Sequence, residues 1–447
     1  MRRTAAGSIP PAALRFSCLE RTGECAILKY LVAVTNALAS LSFLAGLLVS
    51  FAGNGRDRAG SRTVLAGIAA GVVAGFAVFF VRLSDPKGMN LPLTRFNRYV
   101  VVAVAALTAA ALAWALLSLF AGRVRGGWKL LGVALMAALL AVSLMYLTPA
   151  VVQYTQEFVY FGESGVSTKA LLRAIGFALG LFVCLLLALS AFKTHRCLTE
   201  RGGAFFLCAS LLAFLGEYGF KAVAALQRLK LIPLSDLVFE LMVWGDANAN
   251  LFLYAQLALG LCMLLYVALT HRRPQGQFAN RALLRKEKAR LRDCRRWSYS
   301  LFACGLAAML IVTVAHYYDT LPPAEVQPEP YELKNGVIEV DLTKVSDGHL
   351  HKFSYLTPGG FDVRCLVVKK PAGTAYGVGL DACEICGVAG YFERGDEVVC
   401  RRCDVVMNKN TIGFKGGCNP IPFPYEVKGG RIFIDTAELV RHERRFR

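Results

Sequence analysis

Long apolar runs are the feature that most constrains this chain. Eight of them recur in the first 320 residues, and each is long enough to cross a bilayer, which takes about 20 helical residues. Inside a bilayer every backbone amide must be paired within the protein, so helices are the expected structure. We therefore predict a polytopic α-helical membrane domain over residues 27–319, after an N-terminal segment over 1–26. The predicted spans are residues 28–51, 63–81, 99–121, 129–149, 169–191, 204–226, 249–270 and 298–316.

The charge of the chain is concentrated between these runs. The 50 Lys and Arg residues exceed the 31 Asp and Glu residues by 19. Residues 320–447 contain 17 of each sign, so the whole excess lies in residues 1–319. Basic residues between membrane spans act as topology signals, because positively charged loops are retained in the cytoplasm. We interpret the charge in this way and expect no nucleic-acid partner.

The loop between the seventh and eighth runs sets the predicted orientation. Residues 271–296 contain ten Lys and Arg residues against two acids, which places this loop in the cytoplasm. With eight alternating spans, both termini then lie on the extracytoplasmic side. The C-terminal region is accordingly expected outside the cytoplasm.

The sequence changes character after the last span. Residues 320–332 contain several prolines and carboxylates, a composition typical of an extended, solvated linker. Residues 333–447 contain short segments rich in β-branched and aromatic residues, bounded by Gly, Pro or Asp, which predict strands. We expect a small, mostly β domain with strands near residues 336–342, 351–356, 362–370, 397–400 and 430–436.

Two Cys-x-x-Cys pairs in this domain indicate a metal site. Cys383 and Cys386 form the first pair, and Cys400 and Cys403 form the second. Each pair can wrap a tight turn around an ion, and Gly387 supplies a permissive backbone after the first turn. Zinc, a mononuclear iron and an iron–sulfur cluster all accept four thiolates. The alternative is two disulfides in an oxidising compartment.

Further Cys and His residues of the same domain are candidate ligands. Cys418 is an additional ligand, a resolving thiol, or the disulfide partner of Cys365. His349 and His351 are two residues apart, and a strand would place both imidazoles on one face. That face would suit a second metal ion, or it would simply be solvated.

The membrane domain contains one charged pair within an apolar run. Glu217 and Lys221 are one helical turn apart in the order that favours an ion pair. Charge at this depth is costly and by default indicates function, whereas the alternative is a self-neutralising pair with Lys221 extended towards the surface. Further along, Ser235 precedes an amphipathic stretch that predicts an interfacial helix. Lone cysteines in the apolar runs are interpreted as small hydrophobic residues.

The tail resembles a known family. The run DGHLHKFSY, followed by YGVGLDACEICGVAGYFERGDEVVCRRCDVVMNKNTIGFKGGCNPIPFPYEV, is similar to the FtrD-like family of membrane iron–sulfur-containing proteins. The stretches EFVYFGESGVSTKALLRAIGF and LIPLSDLVFELM also resemble the membrane half of that family. The resemblance implies an iron or iron–sulfur cofactor held by the tail cysteines. The implied ligands are Cys383, Cys386, Cys400, Cys403 and Cys418.

The resemblance also implies a setting for the protein. Such proteins accompany bacterial iron-permease systems, beside periplasmic iron-binding and thioredoxin-like proteins. It therefore implies an accessory of ferrous iron uptake in the bacterial inner membrane, with a periplasmic C-terminal domain that transfers electrons or relays metal. Nothing in the sequence resembles a nucleotide-binding loop, so we expect no ATP-driven transport by this subunit alone. We expect an electron-transfer or transport accessory and not a stand-alone enzyme.

The sequence is also compatible with two other functions. One is a structural zinc-bearing domain on a transporter or assembly scaffold. The other is a thiol–disulfide relay that takes electrons through the membrane from the cytoplasm, although we recognise no paired cysteines in the membrane part of the sequence that would support it.

The orientation can be tested with reporter fusions. A reporter that is active only in the periplasm should be active when fused after Thr320 and silent when fused after Arg285, because the basic loop before the last span stays inside. The reverse pattern of activities would place the cysteine-rich tail in the cytosol.

Overall fold

A computed structural model divides the chain into two compact units, Met1–Asp319 and Thr320–Arg447, which we describe separately. Residues 1–23 of the predicted N-terminal segment and residues 321–326 of the predicted linker lie outside the described part. The structure describes residues 24–53, 59–84, 93–121, 127–158, 168–271, 274, 278, 280–320, 327–371, 373–394, 397–403 and 405–446.

The first unit is helical. Among its described residues, eight helices are long and apolar enough to cross a membrane, which confirms the predicted multi-pass membrane fold. These are α1 to α6, α8 and α9, and α7 is a short helix between spans. The bounds are α1 Glu24–Ala52, α2 Ala59–Ser84, α3 Leu93–Ala121, α4 Gly127–Gln156, α5 Thr168–His195, α6 Glu200–Arg228, α7 Asp236–Ala247, α8 Ala249–Thr270 and α9 Arg281–Leu310.

Small residues let the membrane helices approach closely. Gly67, Gly71 and Gly75 recur at four-residue spacing along α2 and face α4. A methyl group at Gly71 would clash with the backbone of Ala141. Helix association in lipid depends on such close contact, because lipid tails are as apolar as the helix surfaces. The sequence pattern of α2 therefore explains its pairing with α4.

The short helix α7 confirms that a helix follows Ser235, whereas its position at the membrane interface stays a prediction. It spans Asp236–Ala247, and its N-cap is Ser235, whose hydroxyl accepts a hydrogen bond from the Val238 amide at 3.4 Å. Apolar side chains along it are left exposed, among them Leu237 and Phe239. An amphipathic helix with such an uncovered face suits the membrane interface.

The last long helix, α9, joins a basic segment to a membrane span. Asn280 caps it by accepting a hydrogen bond from the Leu283 amide. After Leu310 the helix continues through a π-helical turn at Ile311–Ala315 and a final helical turn, α10, at His316–Thr320.

The second unit is built from three antiparallel sheets. Their strand orders are β1-β2-β10-β9, β3-β4-β5 and β6-β7-β8. A short helix, α11 at Thr436–Arg441, follows β10. The strands are β1 Glu332–Lys334, β2 Val337–Asp341, β3 His351–Leu356, β4 Asp362–Lys369, β5 Tyr376–Leu380, β6 Tyr391–Arg394, β7 Glu397–Cys400, β8 Val406–Met407, β9 Glu426–Lys428 and β10 Arg431–Asp435.

Strand β4 is buried on both faces and separates two apolar cores. Val363, Cys365 and Val367 point into a core shared with β2, β5 and β10. Leu366 and Val368 point the other way, into a core that contains Cys383, Cys386 and Cys400. Because side chains alternate along a strand, one residue of register decides which core each side chain enters.

All five predicted strands are present, as β2, β3, β4, β7 and β10. The structure adds strands that the pattern did not reveal, which are mostly two to four residues long. The added strand β5 contains Gly377 and Gly379, which pack closely against Ile412 and Pro420. Glycine weakens the strand pattern in a sequence, so this element was missed.

A buried ion pair connects β3 to the segment that precedes the first Cys-x-x-Cys pair. Lys352 Nζ lies 2.7 Å from Asp381 Oδ2, and both side chains are almost completely buried. The other oxygen of Asp381 accepts a hydrogen bond from the Tyr391 amide at 2.8 Å. Asp381 therefore fixes the start of β6 relative to β3.

We expect Lys352→Met to destabilise the C-terminal unit by about 3–5 kcal/mol. The change removes the ammonium 2.7 Å from the buried Asp381 carboxylate and leaves it the more distant Arg364 Nε, at 3.8 Å. The loss can be measured in the full chain by pulse proteolysis in urea, with detection of a C-terminal epitope. The control Lys428→Met removes an exposed ion pair and should cost less than about 1 kcal/mol. Equal losses in the two variants would contradict this role of Lys352.

Candidate metal centre

The first Cys-x-x-Cys pair lies on a tight turn. The Cys383 amide donates to the Gly387 carbonyl at 3.0 Å, and the Gly387 amide donates back to the Cys383 carbonyl at 3.1 Å. Gly387 has φ +68°, a conformation that favours glycine. The Cys386 amide donates to Cys383 Sγ at 3.0 Å. The turn thus brings the two thiols together and directs a backbone donor at one sulfur.

The second pair is positioned by the β6–β7 hairpin. Cys400 ends β7 directly opposite Tyr391 of β6. Its amide donates to the Val405 carbonyl at 3.0 Å, which closes the turn that contains Cys403. This hairpin brings the second turn beside the first.

A third segment adds a fifth thiol. The Ile421 amide donates to the Ala382 carbonyl at 3.0 Å, and the Leu380 amide donates to the Ile421 carbonyl at 2.8 Å. The Tyr391 hydroxyl donates to the Cys418 carbonyl at 2.6 Å. These bonds hold residues 418–421 alongside the first Cys-x-x-Cys pair.

The five thiols form two overlapping groups, each of which can hold a metal ion. One group comprises Cys383, Cys386 and Cys418, and the other comprises Cys386, Cys400 and Cys403, with sulfur atoms within 4.8 Å of one another in each group. Cys386 belongs to both. Cys403 Sγ and Cys418 Sγ are 3.6 Å apart, and all five are free thiols. We call these five residues the thiol cluster.

The thiol cluster is buried except at one edge. Cys383, Cys386 and Cys400 are at most 6% exposed, whereas Cys403 is exposed and Cys418 is partly buried. Apolar side chains of β4 and β7, including Leu366 and Val398, complete the surroundings. The centre thus has an apolar interior and one sulfur edge that reaches solvent.

Hydrogen bonds and burial give the thiols of the cluster different pKa values. A hydrogen bond from the Val405 amide lowers the pKa of Cys403 to about 7. The hydrogen bond with Cys403 raises the pKa of Cys418 to about 11. Burial raises the pKa of both Cys386 and Cys400. Burial opposes ionisation of Cys383, but hydrogen bonds from the Cys386 and Ile385 amides outweigh it and lower the pKa of Cys383. Without a cation, thiolate charge is therefore favoured at the buried Cys383 and at the exposed Cys403.

Cys365 lies outside the thiol cluster. It is on β4, fully buried in the core on the opposite face of the strand, and burial raises the pKa of its thiol to about 12. Cys365 and Cys418 are both free thiols, so the disulfide considered between them does not form. A metal or redox role for Cys365 stays a prediction that this position does not favour.

The two histidines do not share a strand face. Strand β3 begins at His351, so His349 lies before it. His349 Nδ1 is 3.1 Å from Glu393, whereas the ring nitrogens of His351 contact Glu329 Oε1 at 2.7 Å and Asp347 Oδ1 at 2.8 Å. The arrangement predicted from their spacing is therefore wrong, and a metal-binding role for either histidine stays a prediction.

The predicted intramembrane pair does form. Lys221 Nζ lies 2.7 Å from Glu217 Oε1, and Ser40 of α1 donates to Glu217 Oε2 at 2.8 Å. The Lys221 ammonium also lies 4.7 Å from the centre of the Tyr218 ring. The pair lines a cavity of about 470 Å³ that Arg98 also borders. An intramembrane function for Glu217 and Lys221 stays a prediction.

Sequence reasoning missed a pair of cysteines in the membrane unit. Cys197 and Cys294 are joined by a disulfide across a separation of 97 residues. Both cysteines lie outside the predicted spans, in segments predicted to be cytoplasmic loops, so the expectation that no membrane-embedded cysteines are paired is not tested by this contact. Neither residue has a partner within its own segment, so only the packing of α5 against α9 reveals the pair.

Tyr391 and Asp381 were also missed. Both hold the cluster through backbone groups: Tyr391 through the Cys418 carbonyl, and Asp381 through the Tyr391 amide. The position of Asp381 two residues before the first cysteine was the only available signal, and it does not distinguish a buried acid from a surface one.

Residues 345–446 match the FtrD-like family model. Its description is "Membrane iron-sulfur containing protein FtrD-like". The matched range lies within the C-terminal unit and includes the whole thiol cluster, which confirms the resemblance seen in the tail sequence. No curated protein and no solved structure matches the chain. The FtrD-like match thus supports a membrane iron–sulfur protein, and the cysteine geometry is compatible with that description.

His351 should make the stability of the C-terminal unit depend on pH. Burial of the ring opposes protonation, but the hydrogen bonds to Asp347 and Glu329 outweigh it, so the pKa of His351 is raised in the folded protein. A raised pKa contributes stability that is fully present below the unfolded pKa, near 6.5, and is lost as pH rises through the folded value.

Pulse proteolysis in urea at pH 6 and pH 9 tests this expectation. The stability advantage of wild type over His351→Gln should be larger at pH 6 than at pH 9. The variant Asp347→Asn/Glu329→Gln, which keeps the imidazole and removes its partners, should show the same reduced pH dependence. An advantage of equal size at both pH values would contradict the assignment.

Proposed function

We propose that the C-terminal unit holds iron, as a single ion or as an iron–sulfur cluster, on Cys383, Cys386, Cys400 and Cys403, with Cys418 as a fifth donor. The protein then serves as an electron-transfer or metal-relay component of bacterial ferrous iron uptake. The observation that carries this proposal is the convergence of five free thiols in the range that matches the FtrD-like family.

The donor set fits such a group. Iron and its sulfide clusters are held by thiolates, and they supply a redox couple whose potential depends on hydrogen bonds to sulfur and on solvent exposure. The Cys386 amide donates to Cys383 Sγ, and Leu366 and Val398 exclude water from the interior. These residues supply the surroundings that adjust the properties of a bound metal.

The exposed edge suits exchange with a partner. Cys403 is exposed and its thiol has a lowered pKa, so a partner can approach one sulfur of the centre without unfolding the domain. A structural zinc site is typically closed, with four ligands and no spare donor. The fifth thiol and the open edge therefore favour exchange over the alternative of a structural zinc domain.

The predicted orientation of the C-terminal unit indicates which proteins could be its partners. The basic segment before the last span favours a cytoplasmic position for that loop, and the C-terminal unit would then lie in the periplasm. Its partners would be the iron permease and periplasmic iron-binding or thioredoxin-like proteins. This part of the proposal is supported by the charge distribution and by what the family resemblance implies.

Metal analysis tests the proposal. The full chain, purified without oxygen, should contain iron in stoichiometric amount and show visible absorption. Both should be largely lost in Cys383→Ser/Cys400→Ser, because each pair loses one ligand. The matched control Cys365→Ala should keep them, since that thiol enters the other core. Stoichiometric zinc in a colourless protein would contradict the redox function and favour the structural alternative.

A further inference from the structure

A second cysteine pair lies in the membrane unit, whereas the thiol cluster belongs to the C-terminal unit. Cys197, in the turn between α5 and α6, is bonded to Cys294 of α9, with a Cα separation of 5.7 Å. Cys197 is partly exposed, whereas Cys294 is only 4% exposed. One sulfur can thus be reached from solvent and the other lies behind it. This arrangement suits attack at one sulfur and departure of the other.

The turn that carries Cys197 is held in place from both sides. His195 is buried, with Nδ1 2.9 Å from the Ser50 hydroxyl and Nε2 3.0 Å from the Gly203 carbonyl. Lys193 of α5 lies over the ring of Trp297, 5.6 Å from its centre, which is one helical turn beyond Cys294. The Lys193 contact holds α5 against α9 independently of the disulfide, and the His195 contacts hold the end of α5 against α1 and α6. Reduction would therefore leave the two thiols close together.

A basic pocket lies along the helix that carries Cys294, and its lining residue Leu291 is one helical turn before that cysteine. It has a volume of about 410 Å³, and its lining residues include Arg285, Lys288, Arg292 and Arg295 of α9. Arg295 directly follows Cys294 in the chain. Several cations on one face attract anionic reactants and increase their rate of encounter, and cations close to a thiol favour the thiolate that exchange requires.

We propose that Cys197 and Cys294 form a thiol–disulfide exchange centre whose reactant is a small anionic thiol of the glutathione class, attracted by the basic pocket. The thiolate of the reactant attacks Cys197 Sγ, the bond between the two cysteines breaks, and Cys294 leaves as a thiolate that takes a proton from water. A second reactant thiolate then attacks the mixed disulfide and releases Cys197. In total, two reactant thiols become one disulfide, and the protein disulfide becomes two thiols.

This centre and the thiol cluster belong to different units of the chain. About 36 Å of helix, at 1.5 Å per residue, lies between Cys294 and Tyr318 near the end of the last span. The pair therefore lies at the opposite end of that span from the connection to the C-terminal unit. In the proposed orientation this end faces the cytoplasm, where disulfides are as a rule transient and catalytic or redox-sensing.

The exchange reaction can be measured in the full-length protein in detergent. The protein is equilibrated in glutathione buffers of different redox poise and quenched with acid. Free thiols are then labelled with a polyethylene glycol maleimide that shifts the protein on a gel. Between oxidising and reducing buffers, wild type should gain two more labelled thiols than Cys197→Ser/Cys294→Ser, in which the thiol cluster is unchanged. The control Cys262→Ser/Cys304→Ser should keep this additional gain. A pair that stays oxidised in every buffer until the protein is unfolded would overturn the proposal.

The charge of the reactant provides the second test. The variant Arg285→Gln/Lys288→Gln/Arg292→Gln should be reduced about tenfold more slowly by glutathione at low salt, and within about twofold of the wild-type rate by uncharged 2-mercaptoethanol. A variant with the same net charge, Lys334→Gln/Lys428→Gln/Arg441→Gln, should behave as wild type with both reagents. Equal slowing with both thiols, or none with glutathione, would overturn the assignment of an anionic reactant.

Discussion

The main physical constraint on the C-terminal unit is that its closely spaced cysteines would repel one another as thiolates. Five cysteines converge with sulfur atoms within a few ångströms of one another, and three of them are almost completely buried. Ionising several at once without a cation is unfavourable because like charges and burial both oppose it, as the raised pKa values of Cys386 and Cys400 indicate. A metal bound here would remove that conflict. The two Cys-x-x-Cys turns, the β6–β7 hairpin and the contact between Asp381 and Tyr391 all serve to hold the sulfurs in this arrangement.

The membrane unit satisfies a different constraint. Its backbone groups must be paired within helices, and its helices must associate without a hydrophobic driving force between them. The glycines of α2 meet that need by close packing on α4. Within α6 the charged side chain of Glu217 has polar partners, since it contacts both Lys221 and Ser40. The basic part of α9 sets the predicted orientation, and it also lines the charged pocket on the helix that carries Cys294.

Local patterns revealed most of the fold and the centre of the site. Apolar run length predicts the spans, alternation predicts β2, β3, β4, β7 and β10, and the spacing of Cys383, Cys386, Cys400 and Cys403 predicts a shared metal site. The misses are contacts between residues distant in the chain. Cys197 and Cys294 are 97 residues apart, and Lys352 reaches Asp381 across 29 residues. The two histidines were misplaced because β3 begins at His351, one residue after a turn that no periodicity could locate.

The proposed function requires that the sulfur atoms of the thiol cluster bind iron. X-ray absorption at the iron edge, on the full-length protein purified without oxygen, tests it most directly. We expect the ligands nearest to the iron to be sulfur atoms, which are replaced in part by lighter atoms in Cys383→Ser/Cys400→Ser. Iron surrounded only by oxygen and nitrogen in the wild-type protein, or a sulfur site filled by zinc, would contradict it.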